Sequence, residues 1–155
     1  MTAGIIIAVL VFGAAATGGL FKPGTWYNAL NRPSWTPPDW VFPVVWTPLY
    51  AMIGYAGWLV WQEREWLAIG IWGAQLLCNG LWSYLFFGRK QMRVAFVDLA
   101  AMWTMIWAFV AVTLPEQPLA ALLFVPYGIW VSIAGVLNRE MIRLNPREPE
   151  LALQR

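Results

Sequence analysis

Twelve tryptophans, one cysteine and no histidine set the chemistry open to this chain. Without histidine there is no histidine-ligated haem, no His-containing zinc site and no triad built on imidazole. A lone Cys78 forms no intrachain disulfide and leaves the redox compartment undecided. No metal site and no required cofactor are expected, and without an acid–base pair ordinary hydrolytic or redox enzymology is disfavoured. What remains is the chemistry of indoles: flat, polarizable faces that stack on planar guests and are readily oxidised.

The indoles are not evenly placed. The segment "PSWTPPDWVFPVVW", residues 33–46, holds three tryptophans and four prolines, ahead of and inside a long apolar run. Trp26, Trp35, Trp40, Trp58, Trp61 and Trp66 lie near the ends of apolar runs and fit an aromatic belt at the headgroups. Trp103, Trp107 and Trp130 lie roughly 12–18 Å from the nearest predicted end at 1.5 Å per residue, with Trp46, Trp72 and Trp82 at about 8–10 Å. A mid-membrane indole buries an N–H that needs a partner, so it is a poor lipid-facing residue. Any one of these rings serves helix packing as readily as a pocket, whereas the set favours a flat-walled cavity for a planar aromatic guest. Trp103 and Trp107, four apart, share one face. Pro43 and Pro48, and Pro126 further on, are expected to kink their helices and open space midway.

Polar residues inside the runs are few. Gln75 and Asn79 share a face with Cys78, Trp82 and Ser83 close by, and can serve a ligand or glue helices together, glue being the commoner case. Asp98 sits near the start of its run, where the helix dipole favours an anion, and a structural role is expected for it. Gly70 with Ala74, and Ala14 with Gly18, have the spacing that lets membrane helices approach, and a homodimer through one of these helices is expected.

The elements that must position these residues follow from hydropathy. The chain is 155 residues long, 60% hydrophobic and only 12% charged, about half the charge of a soluble domain. Its apolar residues fall into five runs long enough to cross a bilayer, at about 2–21, 41–61, 66–88, 93–115 and 117–140. The fold class expected is an all-α integral membrane protein, a five-transmembrane-helix bundle forming a single domain, 1–155, with no room for a soluble one. The first run reads as a span, not a signal peptide, since no Lys or Arg precedes it and it exceeds a signal's apolar core. Loop 22–40 is the long connection, too aromatic to be disordered, and is expected to form a structured lid stiffened by Pro33, Pro37 and Pro38. The stretch 145–155 is a polar tail.

Charge sets the orientation. Of the ten basic residues only Arg64 falls on the face holding the amino terminus and the second and fourth loops; the other nine share the opposite face. The positive-inside rule places the amino terminus outside, and the carboxyl terminus with loops 1 and 3 on the cytoplasmic side. The pI of 8.9 therefore reports topology and attraction to anionic membrane lipid, with no nucleic-acid partner implied.

Three blocks in order, "RPSWTPPDWVFPVVWTPLYAMIGYAGWLVW", "QLLCNGLWSYLFFGRKQM" and "LLFVPYGIWVSIAGVLN", resemble the translocator protein family, also called the tryptophan-rich sensory protein or peripheral-type benzodiazepine receptor family (TspO/MBR), of the bacterial type. The resemblance implies a five-helix bundle, often dimeric, whose cavity opens beneath the first loop. It implies porphyrin ligands such as protoporphyrin IX, with haem also in view, and in some members cholesterol and benzodiazepine- or isoquinoline-type drugs. By that analogy Trp46 and Trp130 face the tetrapyrrole and Trp35 belongs to the lid. Tyr50, Asn79 and Trp82 line the pocket, and Ala134 lies on the wall of the fifth span. The resemblance also implies, for some bacterial members, light-dependent degradation of protoporphyrin, for which Trp46 and Trp130 would be the reactive residues. The cholesterol-recognition segment departs from the family pattern: "VLNREMIR" offers Arg139 with no Tyr. From charge placement alone, Lys22, Arg32 or Arg89 are candidates to pair with propionates. The expected function is a receptor or sensor that binds porphyrin and regulates tetrapyrrole or stress responses, ahead of photo-oxidative degradation and of porphyrin or sterol transport.

Overall fold

The structure, a computed structural model, describes residues 2–146. Residues 147–155 of the expected polar tail, with Arg147 and Arg155, lie outside the described residues. Among the described residues are six α-helices and no strand: α1 (Thr2–Leu20), α2 (Thr25–Asn28), α3 (Val41–Gln62), α4 (Trp66–Ser83), α5 (Met92–Thr113) and α6 (Pro118–Leu144). A π-helical turn, Tyr84–Gly88, continues α4.

Four helices, α1, α3, α5 and α6, are long and apolar enough to cross a membrane by length and composition. The expectation of five is met only in part, because α4, which carries the third predicted span, is not among the four. Gln75 and Asn79 lower its hydropathy, and both are buried inside the bundle, at 0% and 5% exposure. The long helices close a ring in which α1 packs on α3 and α4, α3 on α6, α6 on α5 and α5 on α4. The outer surface is apolar, with Ile5, Phe12, Val97, Leu122 and Val136 exposed where a soluble bundle would be charged. The chain is a multi-pass integral membrane protein.

Close packing at the centre depends on a missing side chain. Trp72 of α4 donates its Nε1–H to the Ile53 carbonyl of α3 at 2.9 Å, and its ring lies against Gly57. A Cβ at Gly57 would stand 2.5 Å from that ring. Gly57→Ala is therefore expected to cost about 1–3 kcal/mol by overpacking, seen as a lowered thermal midpoint in detergent; an unchanged midpoint would show that the α3–α4 contact yields freely.

The prolines differ in effect. Pro48 and Pro126 lie inside α3 and α6. Pro43 corrects the reading of a third one: it is in the first turn of α3, where its missing N–H has no intrahelical acceptor to lose. Loop 22–40 is not all loop, since it contains α2, whose Tyr27 is buried in a second cluster with Phe86, Met92, Ala95 and Met141 at one end of the ring. The short connections at Arg64 and Lys90 turn through the left-handed region, each at φ 56°.

Candidate functional site

The centre of the bundle is built from aromatic side chains with polar tips. On α3, Trp46 and Tyr50 are one turn apart and their rings stack at 5.3 Å and 29°. Trp46 also meets the ring of Tyr127, on α6, edge-on at 5.9 Å. From Tyr50 a hydrogen-bonded string crosses the ring of helices. The Tyr50 hydroxyl donates to Asn79 Oδ1 at 2.8 Å, and Asn79 Nδ2 donates to the Tyr127 hydroxyl at 2.9 Å. Tyr127 donates onward to Gln75 Oε1 at 2.9 Å, with Met102 Sδ at 3.2 Å. Tyr127 and Gln75 are both fully buried. Such a string holds α3, α4 and α6 in one rotational setting, because turning any of them strands a hydroxyl or an amide in apolar surroundings. The Gln75 Nε2 group is buried with no partner.

The other site residues expected from sequence do not all gather there. Trp130 is half-buried and lines an apolar groove of about 410 Å³ between α3 and α6, with Val44, Pro48, Met52, Pro126 and Ile133. Phe42 meets its ring edge-on at 6.0 Å. Ala134, one turn beyond Trp130, is partly buried against the core. Trp82 belongs to the cluster at the end of the ring: it stacks on Phe86 at 5.0 Å and its Nε1 reaches Asn138 Oδ1 at 3.4 Å. Asn138 in turn donates to the Met92 carbonyl at 3.0 Å, tying α4, α5 and α6. Trp35 sits on a turn of the loop, 47% exposed.

Trp103 and Trp107, for which packing and pocket wall were each open, both lie where α5 meets α6. Trp103 is 41% exposed and donates to Ser132 Oγ at 2.8 Å. Trp107 is seated on Gly128 of α6, where a Cβ would come within 2.8 Å of its ring. The two rings meet edge-on at 6.2 Å on the α5–α6 contact. Asp98 faces the Cys78 thiol across the α4–α5 contact, and its Oδ2 is buried without a partner.

In the loop, Arg32 stands over the Tyr27 ring at 5.2 Å. Burial pushes the Tyr27 phenol up, and the neighbouring Arg32 opposes that shift. Sequence reasoning missed Tyr127 and Asn138. Tyr127 had a signal: a phenol next to a mid-helix proline must find a partner for its hydroxyl. Asn138 was obscured by standing at the predicted end of its span.

Residues 5–144 match the TspO/MBR family. The chain belongs to the TspO/MBR family. It is 43% identical over 137 residues to a tryptophan-rich sensory protein of Cereibacter sphaeroides, covering 88% of this chain and 87% of that protein. It is 38% identical over 145 residues to the protein CrtK of Rhodobacter capsulatus, covering 90% and 91%. Similarity extends to animals: the translocator protein of Homo sapiens is 39% identical over 125 residues, 73% of this chain and 70% of that one.

Proposed function

We propose that this TspO/MBR chain is a receptor- or sensor-type membrane protein that binds porphyrin, protoporphyrin IX above all and haem in the same site, in a tryptophan-lined site beneath loop 22–40. The observation that carries the reading is the Trp46–Tyr50 stack, a flat aromatic wall at 5.3 Å backed by the Asn79–Tyr127 hydrogen bonds. Planar macrocycles bind by burial and stacking against such faces. Trp46, Tyr50 and Asn79 form the inner wall, Trp130 and Ala134 the α6 side, Trp82 the end nearest the loop, and Trp35 the lid. Benzodiazepine- or isoquinoline-type ligands fit the same apolar and aromatic description. No cofactor is required.

In this reading α4 also crosses the membrane, as the third of five spans in chain order. Its place between α1 and α5 and the burial of its two amides support that. The amino terminus lies outside, and the carboxyl terminus and loops 1 and 3 face the cytoplasm. A homodimer forms through α4, because Gly70 has open space around it and Leu77 is 76% exposed on the same stripe. The helix 1 pair is engaged within the chain: Ala14 is buried, and a Cβ at Gly80 would lie only 3.7 Å from its backbone.

A second reading, photo-oxidative degradation of the bound porphyrin, is favoured by the contact of Trp46 with two phenols, which gives an oxidised indole neighbours that can be oxidised in turn. The test is titration of protoporphyrin IX into purified protein, followed by tryptophan quenching in the dark and Soret absorbance in light. Saturable quenching with a stable Soret band is the expected outcome. Quenching followed by light-dependent bleaching, slowed in Trp46→Phe and Trp130→Phe, would establish the second reading, and no saturable quenching would overturn both.

A further inference from the structure

The two parts of loop 22–40 are held differently. The first is seated: Tyr27 is 6% exposed and packs edge-on against Phe86 and Phe87. The second, Pro33 to Trp40, stands out, with Trp40 66% exposed. Its hydrogen bonds are local, from Thr36 to the Pro33 carbonyl and from the Val41 N–H to the Pro38 carbonyl. Between the two parts is an open depression of about 610 Å³, bordered by Leu30 and Asn31 on one side and Pro37 and Asp39 on the other. Pro33, Pro37 and Pro38 fix φ along the outstanding part, so rotation concentrates at its base.

At that base stands Asn31, and it meets a residue 114 positions away. The Asn31 backbone N–H donates to Asn145 Oδ1 at 3.0 Å, and Asn145 Nδ2 donates to the Asn31 carbonyl at 2.9 Å. One side-chain amide thus pairs with one backbone residue as a neighbouring strand would. The second hydrogen of that Nδ2 goes to the Met141 carbonyl at 2.8 Å, closing the last turn of α6. The Asn31 side chain contributes only a long contact, 3.5 Å, to the Leu144 carbonyl.

We propose that Asn145 latches loop 22–40: it is a positioning residue that fixes the hinge at Asn31, about which the proline-stiffened flap Pro33–Trp40 swings, and so sets how fast a planar guest enters and leaves. The gating part rests on the ligand site proposed above; the latch itself rests on the two reciprocal hydrogen bonds. The geometry makes an asymmetric demand. Asn145 acts through its side chain and Asn31 through its backbone, so Asn31→Ala should be silent where Asn145→Ala is not.

The experiment uses the full chain in lipid discs, with backbone hydrogen exchange over residues 31–40 and stopped-flow protoporphyrin IX quenching. Asn145→Ala is expected to raise exchange there about 5- to 10-fold, the loss of two exposed hydrogen bonds. Both quenching rate constants should rise together, leaving the dissociation constant within about twofold. Asn145→Asp, which keeps the acceptor for the Asn31 N–H, should fall between, and Asn31→Ala should match the parent. Unchanged exchange in Asn145→Ala, or equal effects of Asn31→Ala and Asn145→Ala, would overturn the latch. Raised exchange with unmoved rates would overturn the gating, and absence of saturable quenching in the parent would overturn the ligand site while the exchange result still decides the latch.

Discussion

Trp46→Ala is expected to weaken protoporphyrin IX binding by about 100-fold, the loss typical of a central aromatic anchor. The reason is geometric: the ring stacks on Tyr50 and abuts Tyr127, so its removal deletes the face of the wall and uncovers one side of the Tyr50 ring. Trp46→Phe, which keeps a flat face, should lose about tenfold or less. Trp130→Ala should cost less than Trp46→Ala, because the Trp130 ring lines the outer α3–α6 groove and keeps one side towards lipid. Titration of each variant by tryptophan quenching checks the order. Equal affinities for the parent and Trp46→Ala would place the porphyrin elsewhere on the protein.

The second large effect is on stability. Asn79→Leu keeps the branch point and number of heavy atoms of the side chain but takes the acceptor from the Tyr50 hydroxyl and the donor from the Tyr127 hydroxyl. Stranding the Tyr50 hydroxyl, while the Tyr127 hydroxyl keeps only its bond to Gln75, is expected to cost about 1–3 kcal/mol. The cost should be coupled, since the Asn79→Leu/Tyr50→Phe pair removes both members of one bond together. The double variant should therefore recover part of the loss, by about 1 kcal/mol relative to the sum of the singles. Thermal or denaturant unfolding of the four proteins in one detergent measures this cycle. Strict additivity would mean that the two side chains stabilise the bundle independently of their 2.8 Å hydrogen bond.

These two effects fall on residues of differing legibility. Trp46 stood out in the sequence through the proline- and tryptophan-rich segment around it. Asn79 stood out as one of few amides in an apolar run, but its alternatives, ligand contact or helix glue, could not be separated by spacing. The structure gives it two partners on two other helices, and the glue role is directly visible in those bonds. Trp103 and Trp107 show the opposite case. Their depth suggested a pocket wall, yet their rings lie on the α5–α6 contact, because depth along a helix says nothing about the direction a side chain points around it.

By itself the sequence determined the all-helical class, the membrane setting, the long aromatic loop and the TspO/MBR resemblance, because these depend on hydropathy, residue type and short-range spacing. Tertiary structure decided which residues meet: Tyr50 with Asn79, Trp72 with Gly57, Ala14 with the Gly80 face of α4, Asn31 with Asn145. The physical reason is the lipid. A helix such as α1, apolar all round, carries no amphipathic stripe to mark its inner face, so its rotation is fixed only when small residues, indoles and scarce amides find partners on neighbouring helices.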